Sequence, residues 1–135
     1  MNLQLLQKIR DNAVKYFINQ NIYPAVFEKP TADSVIQYAA YTYVYAIRIL
    51  QDFGGYSTAT ADEILTDMSE KAYNILGHKS DIVSNYNELF LYCMKEIKKG
   101  TEIGDNTIEG STIILDYNAK LLAISLAYLE HFQDS

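Results

Sequence analysis

The chain has 135 residues, 49% hydrophobic and 21% charged, the balance of a globular domain rather than a disordered or fibrous chain. Its formal net charge is −6, with 17 acidic side chains against 11 basic ones, which counts against nonspecific binding to nucleic acid or anionic lipid because phosphate surfaces demand a basic patch. The single cysteine, Cys93, excludes an intramolecular disulfide framework.

The opening stretch MNLQLLQKIRDNAVKYF carries Lys8, Arg10, Asp11 and Lys15 where a secretory signal needs an unbroken apolar segment. No apolar run approaches the length of a bilayer span, so a cytoplasmic protein with no membrane partner is expected. Leu6, Ile9, Ala13, Tyr16 and Phe17 share one face at helical spacing and predict a first helix near residues 2–20. NIYPAVFEKP follows, an extended link marked by Pro24 and Pro30.

A second helix should start at Thr31 or Asp33, whose side chains can cap free amides, and should stop near Phe53 at Gly54-Gly55. Thr60-Ala61-Asp62-Glu63 has the T-x-x-E form of a capping box and predicts the start of a third helix, with Gly77 as its terminator. Its buried stripe is Ala61, Ile64, Leu65, Met68, Ala72, Ile75 and Leu76. The fourth helix should begin at Ser80 or Asp81 and end at Gly100, with Lys98 and Lys99 set against the negative end of its dipole. TEIGDNTIEGS, with two glycines, reads as a loop. A fifth helix over about 110–132 is apolar around most of its circumference, interrupted mainly by Asp116, Lys120 and Glu130, and a helix of that kind belongs at the centre. The whole chain, 1–135, thus reads as an all-α, compact single-domain bundle of about five helices with the C-terminal helix central.

The segment YAAYTYVY, residues 38–45, alternates like a strand, but Val35, Ile36, Ala39, Tyr43, Ala46, Ile47 and Leu50 make one apolar face only at helical spacing. Tyr43 then lies deep in that face, while Tyr38, Tyr41 and Tyr45 cluster at its edge within roughly 60°, beside Arg48 and Asp52. A boundary row of tyrosines buries its rings and keeps its hydroxyls wet. The same rigid rings are favoured at binding hot spots. Tyr92, with Leu91, points to the polar side of the fourth helix and joins these candidates, whereas Tyr86 is expected in the core. On the third helix Glu63, Asp67 and Glu70 converge opposite the apolar stripe as an acidic strip suited to steering a cationic partner.

Motifs for catalysis or cofactors are not found, and the expectation is a protein that is not an enzyme and carries no cofactor. His78 and His131 lack a glutamate three residues before them, so the Glu-x-x-His pair of helical metal sites is missing. Cys93 falls among Leu89, Phe90, Met94 and Ile97, where a thiol behaves as a small hydrophobe. No phosphate loop or nucleophile elbow is present, and neither Arg10 nor Arg48 is followed by the histidine of an R-x4–6-H ribonuclease motif. Ser125 can bond back to a carbonyl of the preceding turn. Asn118 falls on the apolar side near Leu122 and Leu129, where it needs a hydrogen-bond partner and would fix helix register.

In size, acidity and helical character the chain is similar to bacterial immunity proteins that neutralise secreted toxins, such as those guarding colicin nucleases, and Ile22-Tyr23-Pro24 is similar to their Tyr-Tyr-Pro. That resemblance implies an inhibitor that occludes a basic protein partner. Tyr38, Tyr41, Tyr45 and Tyr92 would anchor it, with Arg48 and Asp52 beside them, and Glu63, Asp67 and Glu70 would pair with the partner's lysines or arginines. The alternative is a homo-oligomeric scaffold or adaptor that buries its tyrosine surface against a second copy of itself. A third reading is an enzyme without a recognisable motif that uses scattered polar residues from several helices.

Overall fold

The computed structural model describes residues 1–18, 30–76 and 81–133, and forms five helices from them with no strand among the described residues. They are α1 (Leu3–Ile18), α2 (Ala32–Asp52), α3 (Thr58–Leu76), α4 (Tyr86–Gly104) and α5 (Ile108–Gln133). Ile22-Tyr23-Pro24, most of the Pro24–Pro30 link, and Gly77, His78 and Ser80 lie outside the described residues.

Side-chain caps set several of the helix ends. At α2 the Thr31 hydroxyl accepts the Ser34 N–H at 3.2 Å and the Ser34 hydroxyl accepts the Thr31 N–H at 2.9 Å, a reciprocal box that satisfies two free amides. Its far end turns at Gly55, whose φ of +73° is open to glycine at no steric cost. The start of α3 differs from expectation. Ser57 is the cap, accepting the Thr60 N–H at 3.2 Å, so Thr60 is already helical and forms no box with Glu63. α4 also begins later than expected, at Tyr86, because Asp81 closes a turn whose carbonyl accepts the Asn85 N–H at 3.0 Å.

The largest departure is at residues 101–111, expected as a loop and found mostly helical. α4 runs through Gly100 to Gly104 (φ +134°), and only three residues separate it from α5, where the Thr107 hydroxyl accepts the Gly110 N–H at 3.0 Å. Gly100 is therefore a contact residue rather than a terminator, and Gly110 is a contact residue rather than a loop glycine. A Cβ on Gly100 would stand 2.9 Å from the Gly110 carbonyl oxygen, and one on Gly110 would stand 2.0 Å from that of Gly104.

α5 packs against all four other helices, the central position its apolar circumference predicts. Contrary to the expectation drawn from uninterrupted runs, the stretch Ile108–Phe132 is long and apolar enough by length and composition to cross a bilayer, but 67% of its most apolar window is buried. Contacts at the helix ends fix the directions. Glu130 near the end of α5 accepts the Asn2 N–H at 2.8 Å and the Tyr73 hydroxyl at 2.5 Å, and the Tyr128 hydroxyl donates to the Pro30 carbonyl at 3.2 Å. Tyr128 also stacks on Tyr86 at 4.5 Å between ring centroids. So α1, α2 and α4 start at the end of the bundle where α3 and α5 finish.

Two packing details differ from expectation. Ile75 is 73% exposed, and Ser69 and Tyr73 complete the buried stripe of α3 instead. Ser69 is tolerated there because its hydroxyl donates to the Leu65 carbonyl at 2.8 Å. Ser125 does not bond back along α5; its hydroxyl shares a 2.9 Å hydrogen bond with that of Tyr86, the largest fully buried side chain among the described residues. A polar bracket joins α1, α2 and α3. Arg10 grips Asp62 with two hydrogen bonds of 2.9 and 3.0 Å and Thr66 with a third of 2.9 Å, and the Tyr43 hydroxyl donates to the same Asp62 carboxylate.

Burial raises the Tyr86 phenol well above its ordinary range and pushes the Cys93 thiol up to about 12. Both groups are held neutral by the fold, and the unfolded chain ionises first. The stability they contribute is complete below the ordinary thiol and phenol values of about 8.5 and 10, and is lost as pH rises above them. The urea midpoint is therefore expected to hold between pH 7 and 8 and to fall above pH ~9, with a shallower fall in Cys93→Ala and Tyr86→Phe. A midpoint constant to pH ~11 would contradict the burial of both groups.

Candidate docking face

Tyr38, Tyr41 and Tyr45 lie on the side of α2 that meets α4. The two helix backbones stay more than 8 Å apart at Cα throughout, and the Tyr38–Phe90 ring contact and the Tyr45–Thr101 hydrogen bond bridge them. Tyr38 is only 7% exposed and sets its ring 5.5 Å from that of Phe90, so it is a core residue and not the surface anchor expected of it. Tyr41 is half-buried against the core. Tyr45, also half-buried, shares a 2.9 Å hydrogen bond with the Thr101 hydroxyl of α4. Burial raises the Tyr45 phenol above its ordinary value, and the neighbouring Asp105 carboxylate adds to the rise.

Beyond Tyr45 the seam opens. Tyr45, Arg48, Ile49 and Asp52 of α2, with its C-cap Phe53, face Asp105 and Asn106 of the α4–α5 turn across a groove of about 370 Å³. Three of the expected partner-binding residues, Tyr45, Arg48 and Asp52, thus come together. Phe53, Asp105 and Asn106 were missed. Their partners in the groove lie some fifty residues away in sequence, and the turn that carries two of them sits in a segment that reads as a featureless loop.

The other expected residues are elsewhere. On α3, Glu63, Asp67 and Glu70 are exposed as the spacing required, and Asp67 is paired with Lys71 at 3.0 Å. α3 meets α2 on the Tyr43 side, through Asp62, whereas Tyr41, Tyr45, Arg48 and Asp52 lie roughly 140–180° around α2 from Tyr43. The acidic strip and the tyrosine edge therefore belong to opposite sides of the bundle and form no single surface. Tyr92 is 54% exposed on a third face. It sits about half a turn around α4 from Thr101, which faces Tyr45. Its ring meets Tyr117 edge-on at 5.8 Å, and Lys120 lies over the Tyr117 ring at 4.5 Å while pairing with Asp116 at 2.9 Å. The Tyr92 and Tyr117 hydroxyls lie 3.4 Å apart, and this long hydrogen bond raises the Tyr117 phenol above its ordinary value.

A second cleft, about 440 Å³, opens at the other end of the bundle between Pro30, Thr31, Tyr86, Asn87, Tyr128 and Phe132. Among the described residues no group of three or more His, Cys, Asp or Glu side chains could hold a metal ion. Comparison of the chain with protein-family models, with curated proteins and with solved structures finds no match.

Proposed function

We propose that this chain is a binding protein of the inhibitor or immunity type, acting by covering part of a basic partner protein, and that contact centres on the α2–α4 groove. The observation that carries this reading is the groove's make-up: aromatic Tyr45 and Phe53 set beside the carboxylates of Asp52 and Asp105 in an acidic chain. Exposed aromatic rings supply contact area at low entropic cost, and flanking acids steer a cationic partner and select it over an anionic one. The α3 strip, on the opposite side, contributes to steering and not to the contact.

A second reading has its own support. Phe53, Tyr56, Ile103 and Ile108 are all exposed near this end of the bundle, with Ile108 at 79%, which suits a scaffold that buries the same end against a second copy. Capture on the immobilised chain from its native lysate, alongside solution mass, separates the two. The inhibitor reading expects a monomer that retains one basic protein, releases it as salt rises, and loses about 2 kcal/mol of that binding in Tyr45→Ala. Changing Glu63, Asp67 and Glu70 to their amides should slow association with little effect on dissociation. A dimer that Phe53→Ser or Ile108→Ser converts to monomer, with nothing else retained, would replace the inhibitor by the scaffold.

A further inference from the structure

The charges around the α2–α4 groove do not balance. Its lining holds two carboxylates, Asp52 and Asp105, and one cation, Arg48. α2 closes on Asp52 with no basic residue in its last turn, and α4 closes at the same end of the bundle with Glu102 and again no base in the last turn. Both helices thus direct the negative ends of their dipoles to this place. Asp105 is accounted for by the positive N-terminal end of α5 that follows it. Asp52 has only Arg48, one turn earlier on α2, as a cationic neighbour in the groove, and its place at a helix C-terminus is disfavoured for a carboxylate.

We infer that the groove accepts an arginine side chain of the partner, the guanidinium lying between Asp52 and Asp105 and against the ring of Phe53. This deepens, and rests on, the proposal that the partner is a basic protein. Charge complementarity selects a cation, and the aromatic wall selects arginine over lysine. A guanidinium is planar, weakly hydrated and stacks on rings, whereas an ammonium holds its water.

The test is amide NMR of the full chain titrated with N-acetyl-arginine amide, with N-acetyl-lysine amide and the neutral isostere N-acetyl-citrulline amide as comparisons. Saturable shifts confined to residues 45–56 and 103–108 are expected, strongest for arginine and missing for citrulline. In Asp52→Asn/Asp105→Asn the arginine affinity should fall at least about fivefold while the melting temperature stays close to the parent's, since removing an acid from the α2 C-terminus offsets removing one beside the α5 N-terminus. Shifts of equal size at Glu63, Asp67 and Glu70, an equal response to citrulline, or an undiminished response in the double variant would overturn the arginine slot. Those results leave retention of a basic protein by the groove's aromatic residues standing. Conversely, arginine binding with no protein retained would sink the partner reading alone.

Discussion

Gly110→Ala is expected to destabilise the protein by about 2 kcal/mol or more, although alanine is the better helix former by about 1 kcal/mol. The two effects have opposite signs, and the geometry decides between them. Gly110 stands in the first turn of α5, where its added Cβ would lie 2.0 Å from the Gly104 carbonyl oxygen and 2.6 Å from that of Gly100. Both obstacles are backbone, which cannot rotate aside as a side-chain tip would, so α4 and α5 must separate at their tightest point. Gly100→Ala meets the same crossing from the other side, at 2.8 Å from Ile114 Cγ1 and 2.9 Å from the Gly110 oxygen, and should cost less. Thermal melts measure both. For a chain of this size the Gly110 variant should melt lower by roughly 6–10 °C. A Gly110→Ala protein that melts at or above the parent temperature would show that helix propensity, and not close approach, governs this hairpin.

That crossing also explains where the sequence misleads. Gly100 and Gly110 follow lysines and a short polar run, and glycine in such a setting commonly ends a helix. The same residue permits backbone contact, and only the position of the neighbouring helix distinguishes the two uses. The helical period of the apolar residues was legible wherever one helix face met the core. Val35, Ala39, Tyr43, Ala46, Ile47 and Leu50 are buried as their spacing required, as are Tyr86 and Cys93. The surprises came from polar side chains that found partners far along the chain. Ser69 and Tyr73 entered the α3 stripe because a carbonyl and Glu130 satisfied them, and Asp62 turned inward to meet Arg10 and Tyr43. Such pairings leave no mark at local spacing.

The tyrosines of residues 38–45 carry the same lesson for the site. Tyr38, Tyr41 and Tyr45 have the three-then-four spacing of a helix–helix seam, and that spacing alone was a signal that they face a neighbouring helix. Tyrosine chemistry instead favoured a wet edge. Both descriptions hold along one row: Tyr38 is inside against Phe90, while Tyr45 reaches the rim and places its hydroxyl on Thr101. The exposed acids of α3 were legible from their spacing. Their separation from the tyrosines was not, because it depends on which side of α2 receives α3.

Asn118→Leu is expected to raise stability by about 1–3 kcal/mol, the cost of an unpaired buried acceptor. Asn118 is fully buried. Its Nδ2 donates to the Ile114 carbonyl at 2.7 Å, but its Oδ1 has no hydrogen-bond partner among the described residues. Leucine of similar size removes the stranded oxygen, adds apolar burial and leaves the Ile114 carbonyl its place in the helix. Asn118→Ala should not share the gain, because it opens a cavity as it removes the amide. The urea midpoint, read for both variants, checks this, and a loss of stability in Asn118→Leu would mean that Oδ1 is satisfied in solution. The polar residue then needs a reason other than stability. α5 is apolar on nearly all sides, so hydrophobicity alone marks its rotation weakly, and a single buried amide that tolerates only one environment can set it. The leucine variant is therefore expected to be more stable and less singly packed, with broadened side-chain NMR signals from α5 and its neighbours while its midpoint rises. Sharp, parent-like signals in a stabilised variant would remove the register role and leave the amide as an uncompensated cost of the core.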